Sequence, residues 1–190
     1  MLHTLTALAA CATLAAFAAP AQAADYVIEP THTFASFEIT HFGAAKNRAR
    51  FDKKEGTVQF DRAAKTGKVE LTIDAASISS GVPQFDRHLK SADNFDVEKF
   101  PTIKFVGDKF TFDGDKVVSV SGDLTIKGVT KPVTLALTSF ILQPHPMLKK
   151  DAIGADASVV VKRSEFNAGK YAPHVGDDVT ISIAIEAIKG

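Results

Sequence analysis

From residue 24 onward the chain alternates apolar with small or polar residues at period two, and hardly anywhere with the 3.6-residue period of a helix. Val179, Ile181, Ile183 and Ile185 are interleaved with Thr180, Ser182 and Ala184. Successive side chains of an extended strand point to opposite faces, so the four aliphatics share one face. The same reading holds for Val69, Leu71 and Ile73, for Val118 and Val120 continuing to Leu124 and Ile126, and for Val133, Leu135 and Leu137. Further strands are expected at Phe34 to His41, Thr57 to Phe60, Ile103 to Val106, Phe110 to Phe112 and Ala155 to Val161. Turn chemistry separates them: Asp113-Gly114-Asp115, Lys127-Gly128, and Ala64 to Gly67. Such short connections make sequence neighbours antiparallel. An all-β chain of about eight strands with one apolar face each closes into a sandwich or an up-and-down barrel. With no repeat, low-complexity tract or linker, residues 24–190 form one domain.

One segment departs from this pattern. Gly81 to Phe100 is charged and turn-rich, with Phe85 and Leu89 four residues apart and so on one helix face. A helix is predicted over residues 84–92, with Asp86, Arg87, His88 and Lys90 facing solvent or the strand rims.

The apolar run Leu5 to Ala19, followed by Pro20-Ala21-Gln22-Ala23, reads as a cleaved export signal over residues 1–23 and places the protein in the periplasm. The run is shorter than the ~20 residues a spanning helix needs, so no stable membrane span is expected. Leu8-Ala9-Ala10-Cys11 offers a competing, lipoprotein-type processing site. Cys11 is the single cysteine, so a chain starting at Ala24 has no disulfide and no cysteine-based metal or redox chemistry.

Lys and Arg number 22 and Asp and Glu 22, which leaves no field to attract nucleic acid or an anionic surface. Fourteen Phe against two Tyr and no Trp supply large apolar surface with no polar atom needing a partner. That suits a dense core or an oily cavity equally.

Catalytic signals are weak. His32, His41, His88, His145 and His174 include no pair at metal-ligand spacing. Asp86, Arg87 and His88 are helix neighbours that point apart, which favours a structural salt bridge or helix-to-barrel contact over acid-base work. No Gly-x-Ser-x-Gly turn or phosphate-cradling glycine loop occurs. The sequence points away from an enzyme.

Four stretches stand out together: Tyr26, Ile28, Pro30, His32, Thr33, Phe37, Ile39, His41 and Gly43; Asp86 to Ser91, Asn94 to Asp96 and Phe100 to Phe105; Val120 to Ile126 with Gly128 to Val133; and Arg163 to Phe166 leading to Val175-Gly176-Asp177, Val179 and Ile181. In these the chain resembles the YceI-like family of bacterial periplasmic proteins. Departures are Glu29 where Asp is usual, Ala49 and Asn167 where Gly is usual, and a less regular Gln143 to Asp151. The resemblance implies a lipocalin-like barrel that binds polyisoprenoid chains.

Candidate lining residues are Phe34, Phe37, Ile39, His41, Phe51, Phe85, Leu89, Phe95, Phe105, Leu135 and Ile183, with Phe42 and Phe60 as further aromatics. His32 or His41 is a candidate contact for a polar head at the mouth. The expected function is a carrier or store for a long isoprenoid amphiphile, a polyprenyl lipid or quinone, with no cofactor beyond such a bound lipid and a homodimer left open. The rivals are a fatty acid or fatty amide carrier, a barrel isomerase or hydrolase using His41 or His88, and an interaction protein with a packed interior.

Overall fold

The computed structural model describes residues 23–190, so the expected export signal lies almost entirely outside the described residues. Eleven strand segments form one antiparallel sheet: β1 (Ala24–Ile28), β2 (Phe34–His41), β3 (Ala45–Phe51), β4 (Lys54–Asp61), β5 (Thr66–Asp74), β6 (Ile78–Ser79), β7 (Thr102–Asp113), β8 (Lys116–Ile126), β9 (Val129–Pro144), β10 (Asp151–Lys162) and β11 (Val175–Lys189). The ring β1-β4-β5-β7-β8-β9-β10-β11 closes through pairing of β1 with β11, giving an eight-stranded barrel. β2, β3 and β6 continue the positions of β1, β4 and β5: β11 pairs with β1 near its end and with β2 over Val175 to Ala184.

The break between β1 and β2 is held by side chains. Thr33 is fully buried; its hydroxyl donates to the Glu186 carbonyl (3.3 Å) and accepts from the Glu186 N–H (3.1 Å), standing in for a missing ladder residue. Glu29, the residue that departs from the family pattern, accepts from the N–H groups of Thr31 (3.0 Å) and His32 (2.8 Å) and from both side chains. Burial raises its pKa, but the hydrogen bonds from Thr31 and His32 outweigh this and bring it down to about 2 from an ordinary 4.5. A lowered carboxyl contributes stability that is complete above the unfolded pKa and lost as pH falls through the folded one. Glu29→Gln is therefore expected to flatten the acid limb of stability between pH 4.5 and about 2, measured as urea midpoint against pH. The loss is modest, because the loop is exposed and solvent screens it.

Two β-bulges set the phase of the β7–β8 pair. Asp108 and Val118 are left without a register partner, which keeps Phe105 and Phe110 on the same side of β7. The second bulge also corrects the sequence reading of β8: Val117, and not Val118, is the fully buried residue, while Val120 and Leu124 are buried as expected. Ile103–Val106 and Phe110–Phe112, read as two strands, are one. Gly107 allows the close approach here, since a Cβ would lie 2.7 Å from Val120 Cγ1.

The helix α1 runs Pro83–Lys90, with proline in its first turn and the Ser91 N–H closing on the His88 carbonyl, so it starts and ends slightly earlier than predicted. Leu89 is buried, and Asp86 is spent locally: its Oδ1 accepts from the N–H (2.7 Å) and hydroxyl (2.6 Å) of Ser80. The contact ties the start of the helix to the segment just before it.

Candidate functional site: an apolar tunnel

The inward faces enclose a cavity of about 520 Å³, within the range of small-molecule sites of roughly 300 to 1,000 Å³. On β11 its wall runs from Val175 to Ile185. At about 3.3 Å per residue and a strand tilt of about 40°, that is a depth of roughly 25 Å. Inward Val133, Leu135, Leu137, Val179 and Ile181 are only half-buried, although they sit on the core face. They pack against the core cluster and at the same time line the open cavity. The interior is thus a tunnel and not a filled core, which composition alone left undecided.

Ten of the eleven predicted residues line this space: Phe37, Ile39, His41, Phe51, Phe85, Leu89, Phe95, Phe105, Leu135 and Ile183. Phe34 does not. It is 50% exposed on the outer face, with the Lys54 ammonium 5.6 Å from its ring. In β2 the inward parity is Ala35, Phe37, Ile39 and His41, so the adjacent Phe34 points out. His32 is also outside, exposed and bonded to Glu29 at 2.7 Å, which leaves His41 as the histidine of that pair at the cavity.

The phenylalanines fall into two groups. At the floor, Phe110 and Phe140 line the cavity while Phe60 packs against them at 6.1 and 5.1 Å and stacks with Phe112 at 6.3 Å. Phe60 thus backs the floor and does not touch the bore. Nearer the opposite end, Phe37, Phe51 and Phe95 form a triangle with centroids 5.5 to 6.2 Å apart.

Polar groups collect at that opposite end, the mouth, built from the β2–β3 turn, α1 with its following turn, and the β10–β11 connection. His41, Asn47, His88, Asn94, Arg163 and Tyr171 border it. The Tyr171 hydroxyl donates to Asp93 (3.0 Å), which also binds Lys170 (2.6 Å), clamping two mouth segments together. Hydrogen bonds from Lys170 and then Tyr171 hold the Asp93 carboxyl below its ordinary pKa. Arg163 is buried and donates through Nε to the Gly176 carbonyl (2.8 Å), through Nη2 to Val175 (2.9 Å) and through Nη1 to Ala168, which folds the β10–β11 connection. Asn167 takes the left-handed conformation there that Gly would otherwise supply. Asn47, Asn94, Arg163 and Tyr171 were missed as site residues because polar positions carry no alternation signal. The Arg163 to Phe166 resemblance was the one pointer to that segment.

Phe42 stands out at the rim. It is 66% exposed, lines the cavity, and has φ 51° in a turn closed by the Ala44 N–H to the His41 carbonyl (3.0 Å), with Gly43 at φ 67°. This is a type I′ arrangement, which favours Asn or Gly; a bulky residue there is strained. Strain of this kind persists where function requires the side chain. Phe42→Asn is expected to raise unfolding stability by up to about 1 kcal/mol in urea titration and to weaken tail uptake in the same protein.

Among the described residues no group of three or more His, Cys, Asp or Glu is placed to hold a metal ion, and no helix is long and apolar enough to cross a membrane. A floored apolar tunnel with a polar mouth in an eight-stranded antiparallel ring defines a lipocalin-like binding barrel. Residues 26–187 match the YceI-like domain, and the chain belongs to that family. Protein YceI of Escherichia coli O157:H7 is 34% identical over 175 residues, 90% of this chain and 91% of that protein. A UPF0312 protein of Pseudomonas savastanoi pv. phaseolicola is 39% identical over 124 residues, covering 64% of this chain and only 65% of that protein's length. Among solved structures, Burkholderia cenocepacia BcnA superposes with TM-score 0.70 at 25% identity, over 84% of this chain and 98% of that one. A polyisoprenoid binding domain from Saccharophagus degradans shares the fold, with TM-score 0.65 at 14% identity over 87% and 98% of the two chains.

Proposed function

We propose that this protein is a periplasmic carrier or store for a long isoprenoid amphiphile, a polyprenyl lipid or quinone, whose tail lies in the tunnel and whose head rests at the mouth. The carrying observation is the tunnel itself: a roughly 25 Å bore whose walls are aliphatic and whose floor is phenylalanine. Burying a methylene contributes about 0.8 kcal/mol, so ~20 of them supply roughly 16 kcal/mol against an association cost of ~4 to 15. Long tails bind and short ones are marginal. The polyisoprenoid binding of the Saccharophagus degradans domain supports an isoprenoid over a straight fatty chain. The periplasmic assignment rests on the Ala21-Gln22-Ala23 signal.

Catalysis is not part of this proposal. Neither the His41 nor the His88 ring has a hydrogen-bonded acid or base partner among the described residues, and the Tyr171 hydroxyl beside His88 is engaged with Asp93. Mass spectrometry of lipid released from protein purified from its native periplasm tests the reading. An isoprenoid lipid is the expected species; a fatty acid or amide, or no lipid at all, would overturn it.

A further inference from the structure

The mouth is unequal in charge. Its polar lining consists of His41, Asn47, His88, Asn94, Arg163 and Tyr171, and among the described residues no aspartate or glutamate lines the cavity. Arg163 is 9% exposed, and its contacts are three backbone carbonyls, with no carboxylate within ion-pair distance among the described residues. Carbonyls satisfy donors without neutralising the charge, which the Asp177 carboxylate offsets only at a distance, and three bonds leave two of the guanidinium's five N–H groups over.

The carboxylates nearby are turned to other partners. Asp177 accepts from the N–H (2.8 Å) and hydroxyl (2.7 Å) of Ser164, Asp93 is clamped by Lys170 and Tyr171, and Glu38 by Lys46 and Arg48. The Arg163 guanidinium is continuous with the rest of the mouth: it donates to the Val175 carbonyl, and Val175 is the register partner of His41. The His41 and His88 rings and the Asn47 amide have no hydrogen-bond partner among the described residues, although all three border the opening. In a low-dielectric mouth, a cation without a contacting anion favours negative charge and repels positive charge.

Resting on the tail-binding reading above, we infer that the mouth selects amphiphiles by head charge: it accepts an anionic or hydrogen-bond-accepting oxygen head and rejects a cationic one. Tail burial supplies affinity without regard to the head, and the Arg163 end of the tunnel decides which tails are admitted.

The test is a set of amphiphiles with one tail and three heads, geranylgeranoate, geranylgeraniol and geranylgeranylamine, titrated at neutral pH below their aggregation concentrations. A charge-assisted contact corresponds to about tenfold or more in affinity. The carboxylate is expected to bind at least about tenfold tighter than the ammonium, with the alcohol between. Arg163→Gln should bring carboxylate and alcohol together. Because Arg163 also anchors its loop, the deciding variant is Asn47→Asp, on a half-exposed strand position bordering the mouth, which should reduce or reverse the carboxylate preference. Equal affinities for the three heads, tighter binding of the ammonium, or an unchanged preference in Asn47→Asp would overturn the inference while leaving the tunnel intact. Failure of all three ligands to bind would instead remove the carrier reading.

Discussion

An Ala157→Phe barrel is expected to fold and to bind a long tail no better than a short one. Ala157 lies on β10 in register with Leu137 of β9 and Ile183 of β11, midway along the wall, and its small side chain leaves the bore open there. A phenyl ring at this position occupies the tunnel, where there is space for it, so overpacking strain is small. Every methylene kept out of the lower half forfeits about 0.8 kcal/mol, so five of them weaken binding by roughly 4 kcal/mol, or about a thousandfold. Val160→Phe on the same strand serves as the control, because Val160 is 60% exposed on the outer face. Calorimetric titration with a long and a short prenyl alcohol reads the effect. Unchanged affinity for the long tail in Ala157→Phe would mean that the tail lies elsewhere.

Ile183→Asp is expected to have the second large effect. Ile183 is buried at 9% exposure between Ala157 and Ala35, its register partners on the two flanking strands. Neither neighbour offers a donor, and an unpaired carboxylate in such a place costs several kcal/mol. Urea unfolding should register that loss, and the fraction that circular dichroism shows to be folded should take up no tail. Thr180→Asp, at the opposite parity of the same strand and outside the cavity lining, should change neither. Tail uptake by folded Ile183→Asp equal to the parent would show that β11 does not wall the site.

The strands that carry this account were those with an unbroken two-residue period. The inward rows Val179 to Ile185 on β11 and Val133 to Leu137 on β9 were legible because the irregularities of those strands, before Val179 and at Thr138, lie outside them and parity alone decides the face. On β8 it failed at a single step, since an unpaired Val118 shifts the phase and alternation gives no warning of a bulge. β3 was not read at all: its outward row is Lys46, Arg48 and Arg50, and its other row opens with an exposed Ala45 and then Asn47, so the apolar signal is reduced to Ala49 and Phe51. Phe34 was misplaced because it was chosen for its aromatic ring against the strand's own parity: it stands three residues from Phe37 and so on the opposite face. The mouth was the least legible part. Its residues come from three distant segments and are polar, so only the folded chain brings them to one opening. Whether the interior is filled depends on volumes, and the small side chains of Ala35, Ala155 and Ala157 on the cavity wall are among those that leave space.

The central claim, that the tunnel holds an apolar tail against a phenylalanine floor, is tested most directly by affinity across a series of prenyl alcohols of increasing length. Binding free energy is expected to become more favourable by up to about 0.8 kcal/mol per added methylene and then level off once the tail reaches Phe110 and Phe140. Affinity that is flat from the shortest member onward, or absence of binding at every length, would contradict it.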